Sequence, residues 1–487
     1  MKQPDALLQA LREALGETHV LVADASDALA RHLVDWRKRY QGSALAVVRP
    51  ADAAQVAAVV KLCARFGASI VPQGGNTSLV GGAVPDDSGA QIVLSLSRLH
   101  RVLRVDPANL SITVEAGCLL ADVQSAAADA GLLFPLSLAS EGTCTIGGNL
   151  ATNAGGTQVL RYGTARELCL GLEAVTAQGQ IWHGLQGLRK DNTGYDLRHL
   201  LIGSEGTLGI ITAATLRLYP QPKGQATALL ACPDMSAAVA VLQRARDVLD
   251  AGLTAYEVMA RLPLQLVQRH HPDVASVMSA LCAETDVDAE GALPAWTVLI
   301  DNHSSESDAH AQQRLQALLE QAMADGLVTN ATLASNTTQR QAMWRLRETI
   351  PLSERAEGLM VKHDIGVPTS AMAAFVSTTE QAIMARWPQA RIVCFGHLGD
   401  GNLHYNVQPP PGQQAGEALL AFERAVNKLV FDEVQYVQGT LSAEHGIGVL
   451  RRGELARRKP AAALSMMRAI KQALDPAGTL NPGRVLD

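Results

Sequence analysis

SEGTCTIGGNLATNAGGTQVLRYG, residues 140–163, sets six glycines among threonines and asparagines. Two further stretches share its character, PQGGNTSLVGG at 72–82 and GSEGTLGI at 203–210. Glycine lets a backbone approach a ligand closely and turn left-handed, and short polar side chains supply hydrogen bonds. A run of such N–H groups forms a nest for anionic oxygen. One cluster alone reads better as a tight turn. Three in one half of a chain point to a diphosphate cofactor. None is G-x-G-x-x-G between a strand and a helix, and none is a Walker A loop, so the usual dinucleotide and nucleotide fingerprints are absent.

Around these loops the chain alternates strand and helix patterns. SALAVVRP (43–50) reads as a strand, and residues 52–68 carry apolar residues at helical spacing, Val56, Val59, Val60, Cys63 and Phe66. Residues 111–117 read as a strand, 120–131 as a helix, and 167–185 as a hairpin turning at 177–179. The strand at 207–220 runs into the proline-rich YPQPKG (219–224), which marks a domain boundary. Beyond it β-α-β patterns restart, predicting an antiparallel or mixed sheet with helices on one face.

Length and composition agree. A chain of 487 residues exceeds one core. Net charge of −6, with 4% aromatic residues, gives no footing for nucleic acid, and no basic cluster suggests an anionic membrane. The seven cysteines, Cys63, Cys118, Cys144, Cys169, Cys232, Cys282 and Cys394, are odd in number and widely spaced, as expected of reduced thiols in a cytoplasmic protein. The N-terminal stretch lacks the apolar core of a signal peptide, and no run is long enough to span a membrane.

The second half carries CFGHLGDGNLHYNV, residues 394–407. Read as two strands joined at Gly399–Asn402, it places His397 directly opposite His404, with Cβ atoms roughly 5 Å apart. Asn406 shares their face by period-two alternation. SAEHGIG (442–448) then offers Glu444 and His445 side by side. Two imidazoles and a carboxylate suit zinc, and also manganese or iron, with positions left open for a substrate.

The three glycine clusters together resemble the FAD-binding domain of the vanillyl-alcohol oxidase type, also called PCMH-type. Paired with GHLGDGNLH and SAEHG, they make residues 40–487 resemble the FAD-dependent D-2-hydroxyacid dehydrogenases. The resemblance implies an α+β architecture in three parts. A two-subdomain PCMH-type FAD-binding domain takes residues 1–220. A substrate- and metal-binding domain with an antiparallel sheet covered by helices takes 221–450. A C-terminal helical segment, 451–487, returns to pack on the FAD domain.

By the same resemblance FAD is held by Pro72, Gly74, Gly75, Asn76, Thr77, Ser78 and Leu79, by Gly142, Thr143, Gly148, Asn149, Thr152 and Gly155, and by Glu205, Gly206 and Ile210. No histidine lies between His100 and His183, so the cofactor is expected to be non-covalent. His397, His404 and Glu444 become the metal ligands, zinc first and manganese as the alternative. His445 becomes the catalytic base and a substrate contact. Asn406, Arg347 and Lys362 become the other substrate contacts. The family pattern would place a threonine where Pro351 stands, with Ser353 the nearest hydroxyl, and a lysine where Arg484 stands. The implied reaction is oxidation of a D-2-hydroxy acid by hydride transfer to flavin N5, with D-2-hydroxyglutarate going to 2-oxoglutarate as the favoured case. D-lactate dehydrogenase and the flavin subunit of glycolate oxidase are the alternatives. Electrons would pass to an electron-transfer flavoprotein or a quinone-linked acceptor, and a homodimer is left open.

Overall fold

The helix expected at 52–68 forms over Ala53–Phe66, capped by the Asp52 side chain, which accepts from Gln55 N, and closed by Gly67 at φ 70°. It connects two parallel-sheet strands, Ala44–Val48 and Ile70–Gln73, both hydrogen-bonded to Gln91–Ser95. With Val20–Leu21 these make a four-stranded sheet. A second sheet of five strands is antiparallel, in the order Val102–Asp106, Ser111–Glu115, Ile210–Arg217, Cys169–Val175 and Ile181–Gly184. The last two are the predicted hairpin, turning at Thr176–Gln180.

The computed structural model describes residues 3–22, 29–282 and 293–487. It divides into two units. One comprises Met1–Gly155, Gly163–Gln221 and Glu444–Asp487 and holds both sheets above; the other comprises Gly156–Tyr162 and Pro222–Ala443.

The second unit is built on a seven-stranded sheet. Its order is Asn330–Leu333, Gly224–Cys232, Trp296–Ser304, Leu253–Ala260, Arg391–Gly396, Asn402–Gln408 and Asp364–Gly366, every pairing antiparallel. Helices cover both faces, not one as the sequence suggested. On one face Leu230, Val258, Val298, Ile300, Leu403 and Tyr405 pack with helices Met235–Leu249, Asp308–Ala324, Met372–Arg386 and Gly416–Tyr436. On the other, Leu229, Met259, Leu299, Val393 and Phe395 pack with Arg261–His270 and Thr337–Ala356. Central strands with apolar residues on both sides cannot be served by a single layer of helices.

Helix Thr337–Ala356 contains Pro351. Proline has no N–H to give the carbonyl one turn back, which is that of Arg347.

Candidate active site

In the first unit the three glycine loops meet. An added methyl at Gly74 would overlap the Thr145 hydroxyl, and one at Gly75 would overlap the Thr143 carbonyl oxygen. The first loop therefore lies on the second through bare backbone. The third touches the first: a methyl at Gly206, φ 71°, would come within 3.0 Å of the Pro72 ring. Asn76 takes φ 53° and donates from Nδ2 to the carbonyls of Arg31 (3.1 Å) and Val34 (2.9 Å). Ser78 Oγ accepts from Val80 N at 3.4 Å, and Thr77 and Leu79 lie half-buried beside it.

In the second loop the helix Ile146–Ala151 starts at Thr145, with Gly148 and Asn149 in its turns. Thr152 Oγ1 donates to the Gly148 carbonyl at 3.1 Å, Thr143 Oγ1 to that of Ser140 at 3.2 Å, and Gly155 is buried. A Cβ on Gly142 would meet nothing within 4 Å, while Thr145 Oγ1 is buried without a hydrogen-bond partner. A buried, unsatisfied hydroxyl against the bare backbone of Gly74 fits a polar cofactor such as FAD.

Glu205, assigned to the cofactor from the sequence, uses its side chain otherwise. It sits at φ 52° and accepts from Ile447 N (2.7 Å) and Gly448 N (2.8 Å). Burial raises its carboxyl above the ordinary range, and those two N–H groups pull it back. Asn481 Nδ2 donates to the carbonyls of Glu205 (2.7 Å) and Gly82 (3.0 Å). The carboxylate thus fixes the segment that begins Glu444-His445-Gly446, both functional candidates being half-buried. Ile210 opens its strand as a fully packed residue, 1% exposed.

In the second unit one face of the sheet gathers polar residues, and period-two alternation explains which. Glu257 shares a face with Met259; Val393 and Phe395 stand opposite Asn406 and His404. Asp364 stands opposite His404, and the bridge of Val361 to Val407 puts Lys362 beside Asn406. Onto this face helix Thr337–Ala356 brings Arg347 and, two turns on, Glu354.

The register corrects one expectation. His397 is not opposite His404. The first strand ends at Gly396, Phe395 is the residue across from His404, and His397 opens a turn over 397–401. Its carbonyl accepts the N–H groups of Asp400 (3.2 Å), Gly401 (3.1 Å) and Asn402 (3.1 Å). Gly399 N–H donates to the Tyr256 carbonyl at 3.1 Å, and Arg246 Nη2 reaches the Gly399 carbonyl at 2.9 Å, so the turn is pinned to the strand that carries Glu257. Folding back in this way still brings the two imidazoles together, with ring centroids 5.8 Å apart at 77°.

Two buried carboxylates organise the face, and neither was singled out from the sequence. Glu257, fully buried, accepts from His397 Nδ1 at 2.7 Å and from Arg347 Nε at 2.8 Å. Burial would raise its carboxyl, but the His397 and Arg347 charges outweigh that and hold it below the ordinary range. Glu354, 1% exposed, accepts from Asn406 Nδ2 at 2.6 Å and from Lys362 Nζ at 2.8 Å. Asn406 Oδ1 in turn accepts from His363 N at 3.2 Å. The signals available were a lone glutamate in the apolar TAYEVM and a glutamate seven residues after Arg347. The Arg347 guanidinium also lies over the Phe395 ring, 4.7 Å from its centroid. Ser353 does not supply the missing hydroxyl: fully buried, it donates back to the Thr349 carbonyl at 3.2 Å.

The second unit closes beside these groups. Ser442 Oγ lies 3.5 Å from Asp364 Oδ2, and Ala443 N donates to the Asp364 carbonyl at 3.2 Å. Glu444 is the next residue of the chain, and with His445 it belongs to the first unit. Among the described residues no helix is long and apolar enough to cross a membrane.

Comparison with known proteins shows the family. Residues 221–485 match the family described as FAD linked oxidases, C-terminal domain, and residues 44–184 match the FAD binding domain family. The chain is 35% identical over 462 residues to a mitochondrial D-2-hydroxyglutarate dehydrogenase of Danio rerio, covering 94% of this chain and 82% of that protein. It is 37% identical over 453 residues to a D-2-hydroxyglutarate dehydrogenase of Xanthomonas citri pv. viticola, covering 93% and 91%. Solved structures of alkyldihydroxyacetonephosphate synthase (TM-score 0.76, 18% identity, 99% of this chain and 85% of that one) and p-cresol methylhydroxylase (0.73, 16%, 99% and 97%) share the fold. The chain belongs to the FAD-linked oxidases, in the branch of D-2-hydroxyacid dehydrogenases that holds these relatives, and is an FAD-dependent enzyme.

Proposed function

We propose that this enzyme oxidises D-2-hydroxyglutarate to 2-oxoglutarate, with a divalent cation, zinc first and manganese second, held by His397, His404 and Glu444. The observation that carries the reading is the pairing of His397 with His404 on the face where Arg347, Lys362 and Asn406 gather. The names of the relatives point to the same acid. Two imidazoles and a carboxylate are the donor chemistry of a catalytic zinc site with room for substrate.

At such a site a cation supplies Lewis-acid polarisation of a hydroxyl, and FAD, held non-covalently by the glycine loops, supplies hydride acceptance. The chain's residues do the rest. His445 takes the proton of the substrate's 2-hydroxyl, acting as general base, the role an imidazole fills most often. Asn406, its amide fixed by Glu354 and His363, orients the C1 carboxylate. Arg347 commits Nε to Glu257 and keeps its two terminal nitrogens for a distal carboxylate. Lys362 contributes a second positive charge to the same end. An electron-transfer flavoprotein or quinone-linked carrier takes the electrons; this last assignment rests on family resemblance alone.

A second reading, D-lactate or glycolate as substrate, has one observation in its favour. Position 351 is a proline and the Ser353 hydroxyl turns back to the Thr349 carbonyl, so neither offers a grip on a second carboxylate. Anaerobic flavin reduction by each acid in turn decides between them. Fast bleaching by D-2-hydroxyglutarate supports the first reading, and bleaching by D-lactate with none by D-2-hydroxyglutarate overturns it.

A further inference from the structure

We propose that Glu257 is a positioning residue that locks the cation ligand His397 and the carboxylate-binding Arg347 into one rigid unit; the proposal rests on the metal reading above. Glu257 lies 140 residues from His397 and 90 from Arg347 in the chain, yet touches both. Its neighbours Tyr256 and Val258 are clamped in the opposite core, so the strand cannot rotate it away. The Tyr256 hydroxyl also donates to the Ala238 carbonyl at 2.7 Å, and the Tyr256 carbonyl holds the His397 turn through Gly399 N–H.

The chemical consequence follows from which atoms are engaged. A carboxylate can only accept, so Nδ1 of His397 must be the protonated nitrogen, leaving the Nε2 lone pair for a cation. A ligand histidine whose second nitrogen donates to a carboxylate binds metal more tightly, and loss of that partner typically costs about tenfold to a hundredfold in affinity. The other oxygen holds Arg347 by Nε alone, which fixes the guanidinium plane against Phe395. One carboxylate thereby sets the distance between the end of the substrate at the cation and the end at the arginine.

The test uses full-length holoenzyme and zinc. Zinc affinity is measured by chelator competition at one pH for wild type, Glu257→Gln and His397→Ala, with FAD content and melting temperature alongside. The expected result is a zinc affinity about tenfold to a hundredfold weaker in E257Q, FAD content unchanged, and a larger loss in H397A. An E257Q affinity within about twofold of wild type, while H397A loses zinc, overturns the positioning role and spares the metal site. If wild type and H397A bind zinc equally, the metal reading itself falls. Should E257Q fail to fold, nitrogen-15 spectra of the histidines in zinc-loaded wild type serve instead. Zinc on Nε2 of His397 with a proton on Nδ1 supports the proposal, and zinc on Nδ1 overturns it.

Discussion

Asn406 and Lys362, neighbours across the sheet, share the two oxygens of one buried carboxylate, at 2.6 Å and 2.8 Å from Glu354. Glu257 does the same for His397 and Arg347. Every side chain assigned to the substrate on this face is thus held by a carboxylate of the chain before any substrate arrives. That is pre-organisation: the geometry is set by folding and not by binding.

Removing Glu354 should therefore cost both stability and turnover. Glu354→Ala takes the carboxylate away from the buried Asn406 amide and from the half-buried Lys362 ammonium, a loss on the order of 3 kcal/mol. Chemical denaturation reads the stability. A rise in KM together with a fall in kcat is expected, because a loosened Asn406 and Lys362 affect both binding and alignment. Unchanged kinetics would show that neither residue contacts substrate.

Gly401 takes φ +86°, and a Cβ there would come within 2.5 Å of the Val367 carbonyl oxygen. Gly401→Ala should destabilise by about 1–2 kcal/mol from backbone conformation alone, with the clash added. Since the turn carries His397, zinc affinity should fall with it. A melting temperature equal to wild type would contradict the conformation described for residues 397–401.

The pH dependence of stability should show Glu357. Burial would raise its carboxyl, but hydrogen bonds from Arg391, His270 and Arg269, at 2.6, 2.6 and 2.9 Å, hold it at about 2. A folded-state value below the unfolded one gives stability that is fully present above about pH 4.3 and is lost as pH falls towards 2. The melting temperature should drop through that window, and Glu357→Gln should flatten the drop. An identical acid limb in the variant would contradict the assignment.

Pro351 bears on substrate choice. Pro351→Thr restores an N–H for the Arg347 carbonyl and adds a hydroxyl one turn from the guanidinium. It should raise the melting temperature, by up to about 3 kcal/mol of helix stability, and shift kcat/KM towards D-2-hydroxyglutarate over D-lactate. A shift towards D-lactate would remove Arg347 from the distal carboxylate site.

How much of this was readable without coordinates depended on the range of the interactions. The helix at Ala53–Phe66 is local: its apolar spacing, Asp52 and Gly67 all lie within the segment, and the reading was right to within two residues at each end. The glycine clusters were legible because close backbone contact demands glycine, as at Gly75 and Gly206. His397 was misplaced because a five-residue turn and a four-residue one look alike in sequence; the difference is settled by Gly399 and Arg246 binding to other elements. Glu257 and Glu354 were invisible because their partners are 140 and 52 residues away, and a lone acid in an apolar strand does not say what it meets. The second layer of helices was missed for the same reason.

The proposed divalent cation, held by His397, His404 and Glu444, should be needed for oxidation of D-2-hydroxyglutarate. The direct measurement is anaerobic bleaching of the flavin band by that acid in holoenzyme, before chelation, after it, and after zinc or manganese is returned. Bleaching, then none, then recovery is expected, with His404→Ala silent throughout and still yellow. Full bleaching by the chelated enzyme, or by H404A, would contradict it.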